Sequence, residues 1–263
     1  MQKIYVAMHK PYTVPENPLY VPLQVGAEGR AAFCAVRDNT GRNISDLNLS
    51  FCELTALYWM RYNTNDDVAG LVHYRRYFAS KRRRGGDKWN RILGEDELTE
   101  LMQDLDMILP VKRHYFIETT FSHYAHAHHE RDLQIMRQII QEQCPQYRPA
   151  FDAVMNKRSG HRFNMFVMKK EVLHDYCSWL FPLLFELERR IDISDYDDYN
   201  KRVFGFIGER LLDVWLMKRE YRYTELKVLE IEEPNWLIKG GSFLWRKIRY
   251  SLFGKKNRGG KLK

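Results

Sequence analysis

Val68-Ala-Gly-Leu-Val72, followed at once by His73-Tyr74-Arg75-Arg76, is the stretch on which the fold turns. The compact apolar run follows the turn cluster Asn63-Thr-Asn-Asp-Asp67 and has the length and composition of a buried strand. It stops abruptly in one imidazole, one phenol and two guanidinium groups. Working outward, Lys3-Ile-Tyr-Val-Ala-Met8 reads as a first strand ending at His9-Lys10-Pro11. Further strands are expected at Asp106–Pro110, Arg162–Met168 and Leu226–Ile231. Helices are expected from Ser45 or Asp46 to about Tyr62, over about 95–104, and across Ser122–Gln143, Glu171–Arg190 and Val203–Arg219. Residues 11–43, with four prolines and two glycines near the start, read as mostly loop, and so do 80–94 and the acidic stretch Asp192–Asn200. Strands alternating with helices predict an α/β architecture with a largely parallel central sheet flanked by helices. In such sheets ligands collect where strands end, so the residues straight after each strand are the candidates for chemistry.

The chain has 263 residues, 44% of them hydrophobic, and no Pro/Gly/Ser-rich stretch divides it, which suits one large domain. The net charge of +8 is local: Lys239–Lys263 holds nine Lys or Arg and no acid, so the remaining residues carry −1. The expected organisation is a domain over 1–238 and a basic tail over 239–263. In that tail Phe243, Leu244, Trp245, Ile248, Leu252 and Phe253 recur at helical spacing among cations, as in a short helix lying on an anionic lipid surface. A solvated basic tail is the plainer reading. A one-ended tail is not a basic face across a domain, which argues against nucleic acid as the partner. No run of about 18 apolar residues and no basic-then-apolar leader is present, so the expectation is a protein neither exported nor membrane-spanning. Cys34, Cys52, Cys144 and Cys177 lack zinc or disulfide spacing and read as reduced thiols of a cytosolic protein.

Three strand ends carry functional side chains: His9-Lys10, His73-Tyr74-Arg75-Arg76 and Lys112-Arg113-His114. Cations gathered at a sheet rim suit an anionic ligand, and arginine's planar fork binds phosphate bidentately. Structural ion pairs explain His9, Lys10, Lys112 and Arg113 equally well when each is taken singly. Two adjacent arginines directly behind a buried strand are harder to explain as solubilising charge. No GxGxxG, GxxxxGK[ST], GxSxG or HExxH motif occurs, which sets aside Rossmann cofactors, P-loops, the α/β-hydrolase elbow and zincins. His123, His126, His128 and His129 lack acidic partners at a firm ligand spacing, so a solvated or substrate-contacting helix start is the preferred reading over a metal site. Among carboxylates that could serve as a general base, Glu209 in Gly205-Phe-Ile-Gly208-Glu209-Arg210 stands out, because two glycines permit close backbone approach. Asp195, Asp197 and Asp198 are rivals, and Glu53 reads as structural.

Several segments together resemble a known family. They are Gly41-Arg42-Asn43-Ile44-Ser45 through Cys52-Glu53-Leu54-Thr55 to Tyr58-Trp59; Gly70 to Phe78; Asn164-Met165-Phe166 with Tyr176 to Phe181; and Gly205 to Leu212. The series, spanning roughly residues 3–215, is similar to bacterial capsular and exopolysaccharide glycosyltransferases, some of which are galactofuranosyltransferases. The resemblance implies a GT-A-like fold, a UDP-sugar donor, a lipid-linked glycan acceptor, and a site on the cytoplasmic face of the membrane in O-antigen, capsule or exopolysaccharide synthesis. Many GT-A enzymes end a central strand in an Asp-x-Asp motif that holds a divalent metal. His73-Tyr74-Arg75-Arg76 takes the comparable place here, so the expectation is no metal cofactor, with Arg75 and Arg76 neutralising the departing diphosphate. On this resemblance His9, Lys10, His73, Tyr74, Arg75 and Arg76 line the donor, while Asn164, Asp197 and Asp198 lie on the sugar and acceptor side. Glu209 is the base of an inverting transfer. Two other classes remain open at this stage: a basic nucleic-acid-binding module, and a non-catalytic assembly protein that binds a nucleotide sugar without transferring it.

Overall fold

Val68–His73 lies in the middle of the central sheet of the computed structural model, which describes residues 1–83 and 85–232. In chain order the elements are β1 (Gln2–Met8), β2 (Tyr20–Gln24), β3 (Val36–Arg37), α1 (Asn48–Phe51), α2 (Leu54–Asn63), β4 (Val68–His73), β5 (Arg76–Phe78) and α3 (Glu95–Asp104). They continue with β6 (Met107–Pro110), β7 (Arg113–His114), α4 (Thr120–Ala127), α5 (Glu130–Gln143), α6 (Arg148–Asn156), β8 (Ser159–Gly160), β9 (Phe166–Lys169), α7 (Lys170–Arg190), α8 (Val203–Leu216), β10 (Tyr223–Leu226) and β11 (Val228–Glu230). The chain divides into a compact unit, Met1–Leu229, and a second unit from Glu230 onward, of which residues 230–232 are described. The basic tail expected over 239–263 lies outside the described residues.

The sheet runs β10-β6-β9-β4-β1-β2-β3. β1 is parallel to both β2 and β4, β2 to β3, and β10 to β6, whereas β9 is antiparallel to both β4 and β6. The expected α/β class with a largely parallel sheet is therefore what the chain adopts, with one reversed strand inserted at its centre. Residues of both parities are buried: Tyr5, Ala69, Leu71 and Phe166 join the cluster formed with α2 and α5–α8, and Ile4, Val6, Val72, Ile108 and Val167 are buried as well. Burial on both faces explains why these strands read as continuous apolar runs. Gly70 answers to the same crowding, since a Cβ there would sit 3.0 Å from Ile4 and from Val167.

Three expectations need correction, and a fourth is incomplete. Residues 11–43 are mostly loop as expected, but β2 and β3 lie within them and extend the sheet beyond β1. The helix expected from Ser45 to Tyr62 breaks at Cys52, whose φ of 53° is left-handed, and Asn48 Nδ2 caps the break by donating to the Cys52 carbonyl at 2.8 Å. The helix expected across Ser122–Gln143 breaks at His128 and His129, both extended, where the His128 ring inserts against Tyr199 and Phe206. The strand expected from Arg162 begins only at Phe166, because Phe163 and Asn164 take φ of 77° and 48°.

One buried carboxylate fixes the loop beyond β2. Asp38, fully buried, accepts from the backbone N–H of Gly26 at 2.9 Å and of Ala27 at 3.0 Å, from Ser45 Oγ at 2.5 Å and from Thr55 Oγ1 at 2.7 Å. Asp38→Ala leaves these donors stranded, and the expected loss is about 3 kcal/mol or more in urea denaturation at constant m-value. A midpoint shift equivalent to less than about 1 kcal/mol would show that water takes over the four bonds.

Candidate active site

The segment His73-Tyr74-Arg75-Arg76 is more than a strand end. His73 pairs with Arg76 across the antiparallel β4–β5 contact, so Tyr74 and Arg75 form the tip of a tight hairpin. Tyr74 is buried at that tip and organises the groups around it. Its backbone N–H donates to Ala7 O at 3.3 Å, tying the hairpin to the end of β1. The His9 ring lies 5.2 Å from its ring and the Tyr12 ring 5.0 Å, while the Arg75 guanidinium stands 5.0 Å and Lys10 Nζ 5.9 Å from its centroid. Parallel pairing of β1 with β4, in which Ala7 faces His73, is what brings these two sequence-distant clusters together. Burial, reinforced by Lys10, Arg75, Arg202 and Arg30, pushes the His9 imidazole below its ordinary range, so it stays neutral among cations. Beside this cluster a cavity of about 510 Å³ opens against Met8 and Pro11, lined by Tyr12, Tyr20, Phe33 and Val36. Its volume and aromatic walls suit a small ligand with a flat apolar part.

The second half of the site is built on a strained turn. A left-handed φ is tolerable for asparagine but costly for phenylalanine, and it persists only where several contacts over-determine it. Phe163 has those contacts. Its N–H donates to Glu209 Oε1 at 3.1 Å, and its carbonyl lies 2.6 Å from His73 Nε2. The next residue, Asn164, donates from Nδ2 to Glu53 Oε1 at 2.7 Å and to Gly205 O at 3.1 Å. The two glycines of the α8 segment permit this closeness: a Cβ on Gly205 would stand 3.2 Å from Cys52 Sγ, and one on Gly208 2.8 Å from Leu54. Burial and the neighbouring Glu53 push the Cys52 thiol up to about 12 despite Arg202, whose Nε lies 3.2 Å from Sγ. Arg76 reaches the same turn from the hairpin, 4.6 Å from the Phe163 ring centroid.

Of the residues expected from sequence, His9, Lys10, His73, Tyr74, Arg75 and Arg76 converge at the hairpin, and Glu209 and Asn164 adjoin it through the Phe163 turn. Glu209 sits in the second turn of α8. Asn164 is buried and clamps the wall from inside. Asp197 and Asp198 lie on an exposed turn: Asp197 caps the Asn200 N–H at 2.7 Å, and Asp198 is 3.9 Å from Lys201 Nζ. Lys112 is held by Glu225 at 3.1 Å. Sequence reading overlooked Arg162, Phe163, Arg202 and Arg210. The only signal was composition, in His161-Arg-Phe-Asn164, because a left-handed phenylalanine leaves no signature of its own.

The four histidines at 123–129 divide by environment. His126 Nδ1 lies 2.6 Å from Glu118, whereas His123 and His128 are pressed into the fold. Burial, with Arg162 and Arg210 close by, pushes His123 down to about 3. Burial likewise takes His128 to about 4, although its bond to Asn200 partly opposes this. In the unfolded chain both protonate near ~6.5. Between that pH and about 4 the unfolded state therefore binds more protons than the folded one, and stability falls as pH falls. Urea midpoints measured from pH 7.5 to 4.5 are expected to decline below about pH 6.5, and His123→Gln to flatten the decline. An unaltered slope in that variant would refute the assignment.

A divalent metal of the kind common in GT-A enzymes needs hard oxygen ligands. The hairpin offers imidazole, phenol and guanidinium groups, a donor set that does not fit such an ion, and among the described residues no three His, Cys, Asp or Glu side chains cluster to hold one.

Comparison with known proteins agrees with this architecture. The chain is similar to the apo structure of the bifunctional glycosyltransferase WbbM, with 30% sequence identity and a TM-score of 0.82. The match covers 88% of this chain and 45% of that one, so the chain spans less than half the length of the protein it resembles. No curated protein matches. Residues 3–220 match the family described as Domain of unknown function (DUF4422), a span that contains the sheet, the hairpin and the Phe163 turn, and the chain belongs to that family.

Proposed function

We propose that this chain is an inverting glycosyltransferase that moves a sugar from a UDP-sugar to a lipid-linked glycan in bacterial surface polysaccharide synthesis. The observation that carries the reading is the meeting of His9-Lys10 with the Tyr74-Arg75-Arg76 hairpin beside an aromatic-lined cavity, in a chain that is 30% identical to a glycosyltransferase over 88% of its length. In this reading the nucleoside occupies the cavity against Tyr12 and Phe33. The diphosphate lies against Arg75 and Arg76, with Lys10 and neutral His9 at its edge. Glu209 takes the proton from the acceptor hydroxyl as that oxygen bonds to the anomeric carbon. The bond from that carbon to the diphosphate oxygen breaks, and UDP leaves with both electrons. Fixed guanidinium groups stabilise the charge that develops on the leaving group, a task metals perform in related folds.

A galactofuranose donor rests on the family resemblance. The 45% coverage of WbbM suits one activity of a bifunctional enzyme. Among the described residues no helix is long and apolar enough to cross a membrane, and the proposal of attachment at the inner membrane face rests on the composition of 239–263. Loss of membrane recovery on truncation after residue 238 tests that attachment, and unchanged recovery removes it.

The direct test of the transferase reading is UDP release from a panel of UDP-sugars, with and without glycan acceptors, in EDTA and then in manganese. The expected result is turnover undiminished in EDTA. Activity abolished by EDTA and restored by manganese would return the leaving-group task to a metal, and binding of UDP-sugars without turnover on any acceptor would favour the non-catalytic reading.

A further inference from the structure

Beyond the hairpin, a second group of cations faces no adequate set of acceptors. Arg210, on α8, is 5% exposed. Its Nη1 donates to Phe206 O at 2.5 Å and lies 3.7 Å from Glu209 Oε2, while its buried Nε meets no acceptor among the described residues. Arg162, half-buried, has two buried nitrogens in the same condition, Nε and Nη1. His123 Nδ1 is also buried without a partner, its ring 4.4 Å from that of Tyr115. These groups are neighbours: the Arg210 guanidinium lies 4.8 Å from the ring centroid of Tyr124, the residue after His123, and Glu209, 3.7 Å from Arg210, accepts at 3.1 Å from the N–H of Phe163, the residue after Arg162.

The carboxylates nearby are engaged elsewhere, except that Glu209 Oε2 also stands 3.7 Å from Arg210 Nη1. Asp213 accepts from His161 N at 2.9 Å and lies 2.6 Å from its Nδ1. Asp132 accepts from Tyr196 Oη at 2.7 Å, Glu118 partners His126, and Glu209 accepts from the Phe163 N–H. Buried donors left without acceptors are rare in folded proteins and call for an explanation. Here four such nitrogens belong to neighbouring side chains, two guanidinium forks and one imidazole, and Glu209 is the one carboxylate paired with either guanidinium among the described residues. Three or more convergent donors match the several oxygens of a phosphoryl group better than the two of a carboxylate.

We propose that Arg162, Arg210 and His123, beside Tyr115, form a second oxyanion site, separate from the Arg75–Arg76 hairpin, that takes a phosphoryl group carried by the acceptor. The site adjoins the proposed base, because Arg210 follows Glu209 in α8 and Arg162 precedes Phe163, whose N–H the Glu209 carboxylate holds. An acceptor bound there by its phosphoryl group would present a nearby hydroxyl to Glu209. The identity of the ligand rests on the transferase reading; the existence of the anion site does not.

The test is calorimetric titration of inorganic phosphate into the full chain, without nucleotide and with saturating UDP. Phosphate is expected to bind in both cases, and at least tenfold more weakly in Arg162→Gln and in His123→Gln, with UDP affinity unchanged within twofold in each variant. Glucose 1-phosphate is expected to compete with phosphate and bind more tightly, as an acceptor-borne group should. Phosphate binding abolished by UDP would merge this cluster with the donor site and overturn the proposal. Equal phosphate affinity in Arg162→Gln would do the same, and glucose 1-phosphate binding no tighter than phosphate would overturn the acceptor assignment. If UDP fails to bind while phosphate still depends on Arg162, the donor reading falls and the oxyanion site stands.

Discussion

Glu209→Gln is expected to fold as the wild type does and to lose about 10²–10⁴-fold in kcat, the range that one positioned general base supplies. The substitution isolates chemistry from structure because Gln Oε1 still accepts the Phe163 N–H, which Glu209 receives at 3.1 Å, so the left-handed turn at Phe163 keeps its anchor. What disappears is the ability to take a proton, together with the negative charge 3.7 Å from Arg210. Glu209→Ala is a poorer experiment, since it strands the Phe163 N–H and removes one of the contacts that hold a strained residue. The readouts are the melting temperature and the pH dependence of kcat: a lost base abolishes the acidic limb of the profile, whereas a mere packing defect lowers kcat at every pH. If Glu209→Gln turns over at near the wild-type rate, Glu209 is a strut for Phe163 and the base lies among Asp195, Asp197 and Asp198. For Asp197 and Asp198, exposed and engaged with Asn200 and Lys201, that role requires the 192–200 loop to close over the ligand.

The Arg75→Gln/Arg76→Gln double variant is expected to lose on the order of 10²–10³-fold in kcat, as removal of preorganised donors from a developing anion does elsewhere. Its affinity for UDP should fall as well, because ground-state diphosphate already carries charge. Stability should change little, since Arg75 sits at a hairpin tip and the β4–β5 pairing is carried by backbone atoms. Burial of the apolar body of the site, including Tyr74 and Tyr77, is untouched by the substitutions. A double variant that keeps its rate within about threefold while losing nucleotide affinity would confine these arginines to uniform substrate binding and leave the leaving group without its proposed stabiliser.

The layer architecture was legible because its physical cause is local. Strands buried on both faces become continuous apolar runs, and Lys3–Met8, Val68–Val72 and Met107–Pro110 each announced themselves in that way. β2 was missed because Pro22 and its proline-rich surroundings read as loop; its strand character comes from pairing with β1, which no local pattern reports. The two broken helices were missed for the same reason. At Cys52 and at His128 the local sequence favours continuation, and the breaks are held from outside the segment by Arg202 at Cys52 and by Asn200, Tyr199 and Phe206 at His128. At the candidate site, the cations at the ends of two strands could be read as neighbours because parallel strands deliver their C-terminal ends to one edge.

By itself, then, the sequence determined the α/β class, the strands that make its centre, and the concentration of arginine, lysine and histidine just beyond them, since hydrophobic periodicity and abrupt polarity changes act over a few residues. Only the tertiary structure decided that His73-Tyr74-Arg75-Arg76 turns back as a hairpin onto His9, and that Phe163 is forced left-handed between His73 and Glu209. Those facts depend on contacts between residues tens of positions apart, whose energies appear only when packing fixes every partner at once.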